Sequence, residues 1–352
     1  MQLVINTFGA SLRKTGDRFV IQAGERSLAV SAKKVQSILI ATAACFSTDA
    51  IELASQHNID VIFLDKYGDP YGRVWLPRLG STAAIRRRQI EIAREPEGLA
   101  LVRDWIVTKL RNQEEFLDEL WRRRPGTDEL FAAAVETLRD SRRKLGALTG
   151  GIDELRGTIM GIEGSAARAY FQCLGALMPE PYAFSTRSRH PAKDPFNATL
   201  NYAYGVLYSM VERACIVAGL DPFVGFLHTD NYNKQSLVFD LIEPFRIIGE
   251  RTAVLMFTGR RAHQSYFAEI PAGVTISKDG KAALIESLNQ RLDRAVRYGV
   301  QADKRKRRNV KQRHVVQLEA HALANALIGR RDLPTIVETR ELWKEDAEPG
   351  AS

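Results

Sequence analysis

Cysteine is scarce in this chain, and its thiols are not arranged in pairs. The 352 residues contain three cysteines, Cys45, Cys173 and Cys215, with no CxxC motif. This odd and scattered set argues against a disulfide framework and against a cysteine-ligated zinc site. We therefore expect the protein in a reducing compartment, the cytoplasm.

Long apolar runs are missing too. The chain has no run of about 18 apolar residues, the length that predicts a membrane-spanning helix, and its mean hydropathy is −0.21. The N-terminal segment lacks a basic region followed by an apolar stretch, so it predicts no secretory signal. P-loop, GxGxxG and nucleophile-elbow motifs do not occur. Hydrophobic residues still make up 45% of the chain, enough for a globular core and against dominant disorder.

Acidic side chains are outnumbered by basic ones. The net charge is +8, from 50 Lys and Arg against 42 Asp and Glu. All of the excess lies in residues 81–314, which carry 37 basic and 28 acidic side chains. A basic central region indicates a polyanionic partner for that part of the chain.

The spacing of apolar residues predicts an α+β protein. In residues 1–80, short apolar runs separated by turn signals predict a small antiparallel sheet, interrupted by one helix that Ser47 or Thr48 can cap. Helical spacing begins near residue 82 and continues over segments 112–124, 128–147, 152–178, 196–218, 236–248, 280–298 and 316–328. We therefore predict a small β-rich N-terminal domain (1–80), a larger all-α domain (81–330) and a flexible acidic tail (331–352).

Three segments place carboxylates or a histidine among apolar residues. Glu163 lies between two glycines that leave room for a bulky ligand, and His228 follows an apolar stretch. Asp240 and Glu243 share a helix face, where two like charges favour a cation or a basic group between them. Taken singly, a surface glutamate and a hydrogen-bonded core histidine are the commoner explanations of the first two.

Together these groups supply oxygen ligands and one imidazole, with no thiolate. Such a donor set suits Mg²⁺ or Mn²⁺ better than structural zinc. A divalent ion beside a basic surface indicates phosphoryl transfer on nucleic acid.

Four motifs carry a resemblance to a known family. They are EGSAARAY at 163–170, DPFNATLNYAY at 194–204, GLDPFVGFLH at 219–228 and SLVFDLIEPFR at 236–246. In this order and spacing, the chain resembles the CRISPR spacer-integrase family, the universal CRISPR-associated endonuclease of the adaptation step. The similarity covers roughly residues 1–330. It implies a metal-dependent enzyme that inserts short foreign DNA fragments into a CRISPR array, by attack of a 3′-hydroxyl on a phosphodiester.

The resemblance also implies particular residues and partners. Its metal ligands and catalytic residues fall on Glu163, His228 and Glu243, with Asp240 as an additional acidic group; the choice between Glu243 and Asp240 stays open. It implies a homodimer formed by the β domain, double-stranded DNA as substrate, and a small ferredoxin-fold partner that bridges two dimers. In this context the residues expected to contact DNA are Tyr170, Arg246, Lys304, Arg305, Arg307 and Arg308. For Tyr170 and Arg246, core packing and a structural ion pair are equally good explanations.

Two other functions are compatible with the same residues. A non-catalytic architectural protein would use the basic surface alone, and its DNA binding would survive removal of divalent metal. A repair nuclease acting on branched DNA would use the same acidic site, and the site residues do not distinguish it from an integrase.

Overall fold

The structure is a computed structural model that describes residues 2–35, 37–57, 59–64, 70–74, 82–122, 128–228, 234–298 and 308–329. The chain forms two units, Met1–Gly80 and Ser81–Ser352. The first is rich in strands and the second is largely helical, which confirms the α+β class. Among the described residues, no helix combines the length and the apolar character needed to cross a membrane.

Among its described residues, the first unit contains two four-stranded sheets, ordered β4-β3-β2-β6 and β1-β5-β7-β8. The predicted antiparallel sheet corresponds to β2, β3 and β4, but the second sheet is different, because β1, β5 and β7 run parallel. A parallel pair needs a crossover, and apolar runs alone do not reveal strand direction. The elements are β1 (Gln2–Ile5), β2 (Ser11–Thr15), β3 (Arg18–Ala23), β4 (Arg26–Ser31), β5 (Ser37–Ile40), β6 (Cys45–Phe46), α1 (Thr48–Gln56), β7 (Asp60–Leu64) and β8 (Pro70–Val74).

The two sheets and α1 share one apolar core. Leu12 and Phe19 from one sheet, Ile38 from the other and Leu53 of α1 are all almost completely buried in it. The helix begins where the sequence predicts, because the Ser47 side chain accepts a hydrogen bond from the backbone N–H of Ala50 at 3.3 Å. A local cap therefore starts the helix whose apolar face closes the core.

The second unit contains nine helices and two antiparallel strand pairs among the described residues. They are α2 (Thr82–Ile92), α3 (Pro96–Arg122), α4 (Asp128–Gly146), α5 (Ile152–Leu177), α6 (Pro195–Ala218), α7 (Ser236–Leu241), α8 (Arg246–Thr258), β9 (Phe267–Ile270), β10 (Gly273–Ile276), α9 (Lys278–Leu292), β11 (Ala295–Tyr298), β12 (Arg308–Lys311) and α10 (Gln312–Leu327). The prediction of an all-α domain is wrong in this detail, since β9 pairs with β10 and β11 with β12.

Two predicted helices are interrupted. Segment 280–298 leaves the helix after Leu292 and ends as strand β11. Segment 236–248 consists of α7, a 3₁₀ turn at Glu243–Phe245 and α8. Pro244 has no N–H to continue the α-helical pattern, so the turn tightens at this point. This break gives Asp240 and Glu243 different surroundings.

Helix α6 begins and ends at residues that the sequence marks. Asp194 accepts a hydrogen bond from the backbone N–H of Asn197 at 2.7 Å, and Pro195 occupies the first helical position. The helix ends at Gly219, whose φ of 84° is a left-handed conformation that glycine adopts without strain. This glycine turns the chain into the segment that carries His228.

Glu319 of α10 is an acid in the core of the second unit, with 3% of its surface exposed. Burial raises the pKa of Glu319 to about 7, while a hydrogen bond from Tyr298 opposes the rise and the charge of Asp104 adds to it. In an unfolded chain the same group titrates at about 4.3. Because the folded pKa is the higher one, stability is greatest below the unfolded pKa and falls as the pH rises through the folded value.

We therefore expect Glu319→Gln, which cannot ionise, to exceed the parent protein in stability at pH 8 by about 2 kcal/mol, and by much less at pH 5. Urea unfolding of both proteins at the two pH values measures this difference. Glu286→Gln, which changes an exposed acid on α9, is the control and should match the parent at both. The prediction is wrong if the Glu319→Gln difference is the same at pH 5 and pH 8.

Candidate active site

A buried lysine joins two of the predicted ligands. The ammonium group of Lys109, on α3, contacts Glu163 Oε1 of α5 and lies 2.7 Å from Glu243 Oε2 of the 3₁₀ turn. The side chains of Lys109 and Glu243 are 7% and 4% exposed, while that of Glu163 is 22% exposed. Two carboxylates from separate elements therefore converge on one cation, with Glu163 on the solvent side.

Arg246 holds the other oxygen of Glu243. Its Nε donates to Glu243 Oε1 at 2.8 Å, and its Nη1 donates to the Tyr208 hydroxyl at 3.1 Å. The guanidinium group also lies 4.8 Å from the centre of the Tyr204 ring. Burial alone would raise the pKa of Glu243, but the positive charges of Arg246 and Lys109 outweigh it and lower this pKa to about 2. Glu243 is therefore a carboxylate at every physiological pH.

Asp240 binds the histidine and the segment that carries it. Its Oδ2 accepts hydrogen bonds from the backbone N–H groups of Phe226 at 2.6 Å and Leu227 at 3.0 Å. Its Oδ1 lies 3.1 Å from the backbone nitrogen of His228 and 2.6 Å from the ring atom Nδ1. With Nδ1 as the donor to this carboxylate, the imidazole presents Nε2 as its lone-pair nitrogen. This is the arrangement that proteins use to orient a histidine toward a metal.

The segment before His228 can approach Asp240 because it contains a glycine. A Cβ atom at Gly225 would lie 2.6 Å from the Ser236 side chain and 2.9 Å from Asp240 Oδ2. From the other side, Arg156 of α5 donates to the carbonyl of Phe226 at 3.1 Å and also to that of Leu227. The backbone that carries His228 is thus held by hydrogen bonds to the Asp240 carboxylate and from the Arg156 guanidinium group.

A second polar layer lies behind these residues. Asn112 and Gln113, one turn after Lys109 on α3, donate to the carbonyl of Pro244 at 2.9 Å and to the carboxylate of Glu250 at 3.2 Å. The Tyr204 hydroxyl donates to the same Glu250 at 2.8 Å. These hydrogen bonds tie α3 and α6 to the 3₁₀ turn and α8, so they fix the position from which Glu243 extends.

The structure brings the predicted ligands together only in part. Glu163 and Glu243 meet at Lys109, and His228 is held by Asp240. Within the described ranges, no three His, Cys, Asp or Glu side chains lie close enough, as they stand, to hold a metal ion. Asp240 and Glu243 have separate partners: Asp240 binds backbone N–H groups and the His228 ring, whereas Glu243 binds Lys109 and Arg246.

Two of the predicted DNA contacts are buried. Tyr170 is completely buried, so its side chain packs in the core and cannot touch DNA. Arg246 is 8% exposed and is held by Glu243 and Tyr208, so it acts on Glu243 instead of on a DNA strand. Arg308 begins β12, and the other residues of the predicted basic run, Lys304, Arg305 and Arg307, lie outside the described residues, as does the tail 331–352.

The donor groups fit a hard divalent cation. Glu163 and Glu243 already point at one positive charge, and oxygen ligands of this kind suit Mg²⁺ or Mn²⁺. His228 has the carboxylate partner that a ligating histidine needs. By donor type, Glu163, Glu243 and His228 could hold such an ion, whereas Asp240 already accepts from three backbone N–H groups and one ring nitrogen.

Sequence reasoning missed the basic and polar side chains of α3. Lys109, Asn112 and Gln113 are buried, although such residues usually face solvent. A signal was present in the helical spacing, since these three follow Ile106 on the side that continues to the fully buried Phe116. Polar residues at core positions of an amphipathic helix indicate a buried network.

Comparison with known proteins assigns the family. A model of the family described as CRISPR associated protein Cas1 matches residues 3–290, a range that contains all four motifs. The chain belongs to the Cas1 family. A relative from Archaeoglobus fulgidus, CRISPR-associated endonuclease Cas1 1, is 30% identical over 94% of this chain and 97% of its own length. The family predicted from the four motifs is thereby confirmed.

Solved structures of a casposase and of a Cas1 protein share the fold. A casposase bound to an integration product has a TM-score of 0.79 at 23% identity, covering 94% of this chain and 91% of the casposase. A Cas1 protein from Thermotoga maritima has a TM-score of 0.74 at 20% identity, covering 95% of this chain and 99% of its own. The β-rich and helical parts of the present chain therefore have the architecture of Cas1 proteins.

Proposed function

We propose that this Cas1 family member is a Mg²⁺- or Mn²⁺-dependent DNA endonuclease and integrase that inserts short foreign DNA fragments into a CRISPR array. The observation that carries the proposal is the convergence of Glu163 and Glu243 on one cation, with His228 oriented by the neighbouring Asp240. The endonuclease name of the Archaeoglobus relative and the integration product bound to the casposase support it.

The reaction is a transesterification. The 3′-oxygen of the fragment forms a bond to a phosphorus atom of the array while the bond from that phosphorus to the 3′-oxygen of the target strand breaks. The attacking hydroxyl loses its proton, and the leaving oxygen gains one. When bound, the divalent ion orients the attacking oxygen and offsets negative charge on the phosphodiester. With water in place of the hydroxyl, the same site hydrolyses DNA.

Individual side chains have separate roles in this reaction. Glu163 and Glu243 provide oxygen ligands, and His228 offers Nε2, the ring nitrogen that is not in contact with Asp240. Lys109 and Arg246 place two positive charges beside the carboxylates, and Arg246 holds Glu243 in position.

The substrate has space on the Glu163 side of the site. Of the two carboxylates that contact Lys109, that of Glu163 is more exposed than that of Glu243. A Cβ atom placed on Gly161 or on Gly164 would meet no described atom within 4 Å beyond its own helix backbone. The glycines beside Glu163 thus leave the surface of α5 open to a DNA strand.

The proposal extends to assembly and DNA binding. The excess of basic residues over 81–314 would bind the phosphates of both fragment and target, including through the run from Lys304 to Arg308. Residues 1–80 would form the homodimer, and a small ferredoxin-fold protein would bridge two dimers, as the family resemblance implies.

A strand-transfer assay tests the proposal. A short duplex with 3′-hydroxyl ends is incubated with a leader–repeat target, in Mn²⁺ or in EDTA, and an otherwise identical duplex with 3′-deoxy ends is the control. We expect a covalent product only with the hydroxyl and the metal, while DNA binding survives EDTA. Binding with no metal-dependent product would favour the architectural protein. Cleavage of branched DNA with no transfer would favour the repair nuclease.

A further inference from the structure

Lys109 occupies the position that a cation would take between Glu163 and Glu243. Its nitrogen contacts one oxygen of Glu163 and lies 2.7 Å from Glu243 Oε2. Magnesium and manganese bind carboxylate oxygens at about 2.0–2.2 Å. An ion held by these same two oxygens would therefore overlap the ammonium group, so the ion and the ammonium cannot be there together.

The charge balance leads to the same conclusion. Glu163 and Glu243 carry two negative charges, and Lys109 and Arg246 carry two positive charges within contact of them. The two carboxylates therefore already have cationic partners without a metal ion.

The lysine is also held where it is by the fold. It extends from the middle of α3, next to the almost completely buried Ile106 and Leu110, and Asn112 of the same helix is bound to the carbonyl of Pro244 beside Glu243. An ammonium group that is this deeply buried is stable only with its anionic partners. Removing the lysine would leave two acids from separate elements without the cation that draws them together.

We propose that Lys109 is a built-in competitor of the metal ion: it holds Glu163 and Glu243 together in the metal-free protein and is displaced when the divalent ion binds. This inference rests on the metal site of the proposed function and adds to it a residue that sets the metal concentration at which the site fills. The displaced ammonium then lies beside the ion, where a phosphodiester can become its new anionic partner.

Direct Mn²⁺ binding to the full-length protein without DNA, measured by titration calorimetry, tests the proposal. We expect Lys109→Met and Lys109→Gln to bind Mn²⁺ at least about tenfold more tightly than the parent, because a positive charge at the site is removed. Lys109→Gln retains a hydrogen-bond donor for the acids, so it covers the case in which Lys109→Met does not fold. Lys144→Met, which changes an exposed lysine of α4, should match the parent.

Thermal unfolding gives a second readout. Without metal, both Lys109 variants should melt at lower temperatures than the parent, and Mn²⁺ should raise their Tm by more than it raises that of the parent. Parental or weaker Mn²⁺ affinity in both variants would overturn the inference and leave the metal site intact. If Glu163→Gln binds Mn²⁺ as well as the parent does, the proposed metal site itself is wrong.

Discussion

Glu163→Gln, His228→Ala and Glu243→Gln should each lower metal-dependent strand transfer by about a thousandfold, since each removes one of three ligands of the ion on which the chemistry depends. Duplex binding should stay within about twofold of the parent, because affinity comes from many dispersed contacts between basic side chains and phosphates. The measurements are the single-turnover rate of product formation in Mn²⁺ and a filter-binding isotherm on the same duplex.

The control for these substitutions is on the same helix as Glu163. Glu154→Gln changes an exposed acid in the first turn of α5, and it should keep the parental rate. Full activity in His228→Ala would remove the histidine from the ligand set. A parallel loss of DNA binding in Glu163→Gln would show that the acid supports the fold or the DNA surface instead of the chemistry.

Asp240→Asn should reduce both stability and metal affinity. The Asp240 carboxylate is 2% exposed and accepts from three backbone N–H groups and from the His228 ring. The amide of asparagine replaces one accepting oxygen with a donor, so at least one buried N–H loses its partner. We expect this loss to lower the free energy of unfolding by about 2–4 kcal/mol. With His228 no longer oriented, the affinity for Mn²⁺ should fall by about 10- to 100-fold.

Urea unfolding and a Mn²⁺ titration of strand transfer separate this role from that of a ligand. Raised Mn²⁺ should restore most of the rate of Asp240→Asn, because its three ligands remain, and should restore little of the rate of Glu243→Gln. If raised Mn²⁺ rescues Glu243→Gln and not Asp240→Asn, then Asp240 is the third ligand.

The sequence predicted those features that depend on neighbouring residues. Ser47, Asp194 and Gly219 mark helix ends through contacts within a few positions, and the structure has all three in place. Strand direction depends on crossover connections instead, so the parallel pairing of β1, β5 and β7 could not be deduced from apolar runs. Helical spacing in 280–298 likewise did not reveal that its last residues form β11, which pairs with β12.

For the candidate site too, some features were predictable from the sequence and others were not. Glu163, His228, Asp240 and Glu243 were found because charged or titratable groups in apolar surroundings conflict with simple core design. The break at Pro244 was visible in the sequence, but its consequence was not, because the separate partners of Asp240 and Glu243 come from other elements. Lys109 was missed for the same reason. Its burial and its contacts with both acids depend on the packing of α3 against α5 and against the 3₁₀ turn.

The most direct measurement is the position of manganese in crystals of the parent protein soaked in Mn²⁺, from anomalous scattering near the manganese absorption edge. We expect one peak about 2.0–2.3 Å from a carboxylate oxygen of Glu163, a carboxylate oxygen of Glu243 and Nε2 of His228, with the Lys109 ammonium moved away from both acids. A peak bound by Asp240 in place of Glu243, or a peak elsewhere while Lys109 still joins Glu163 to Glu243, would contradict this expectation.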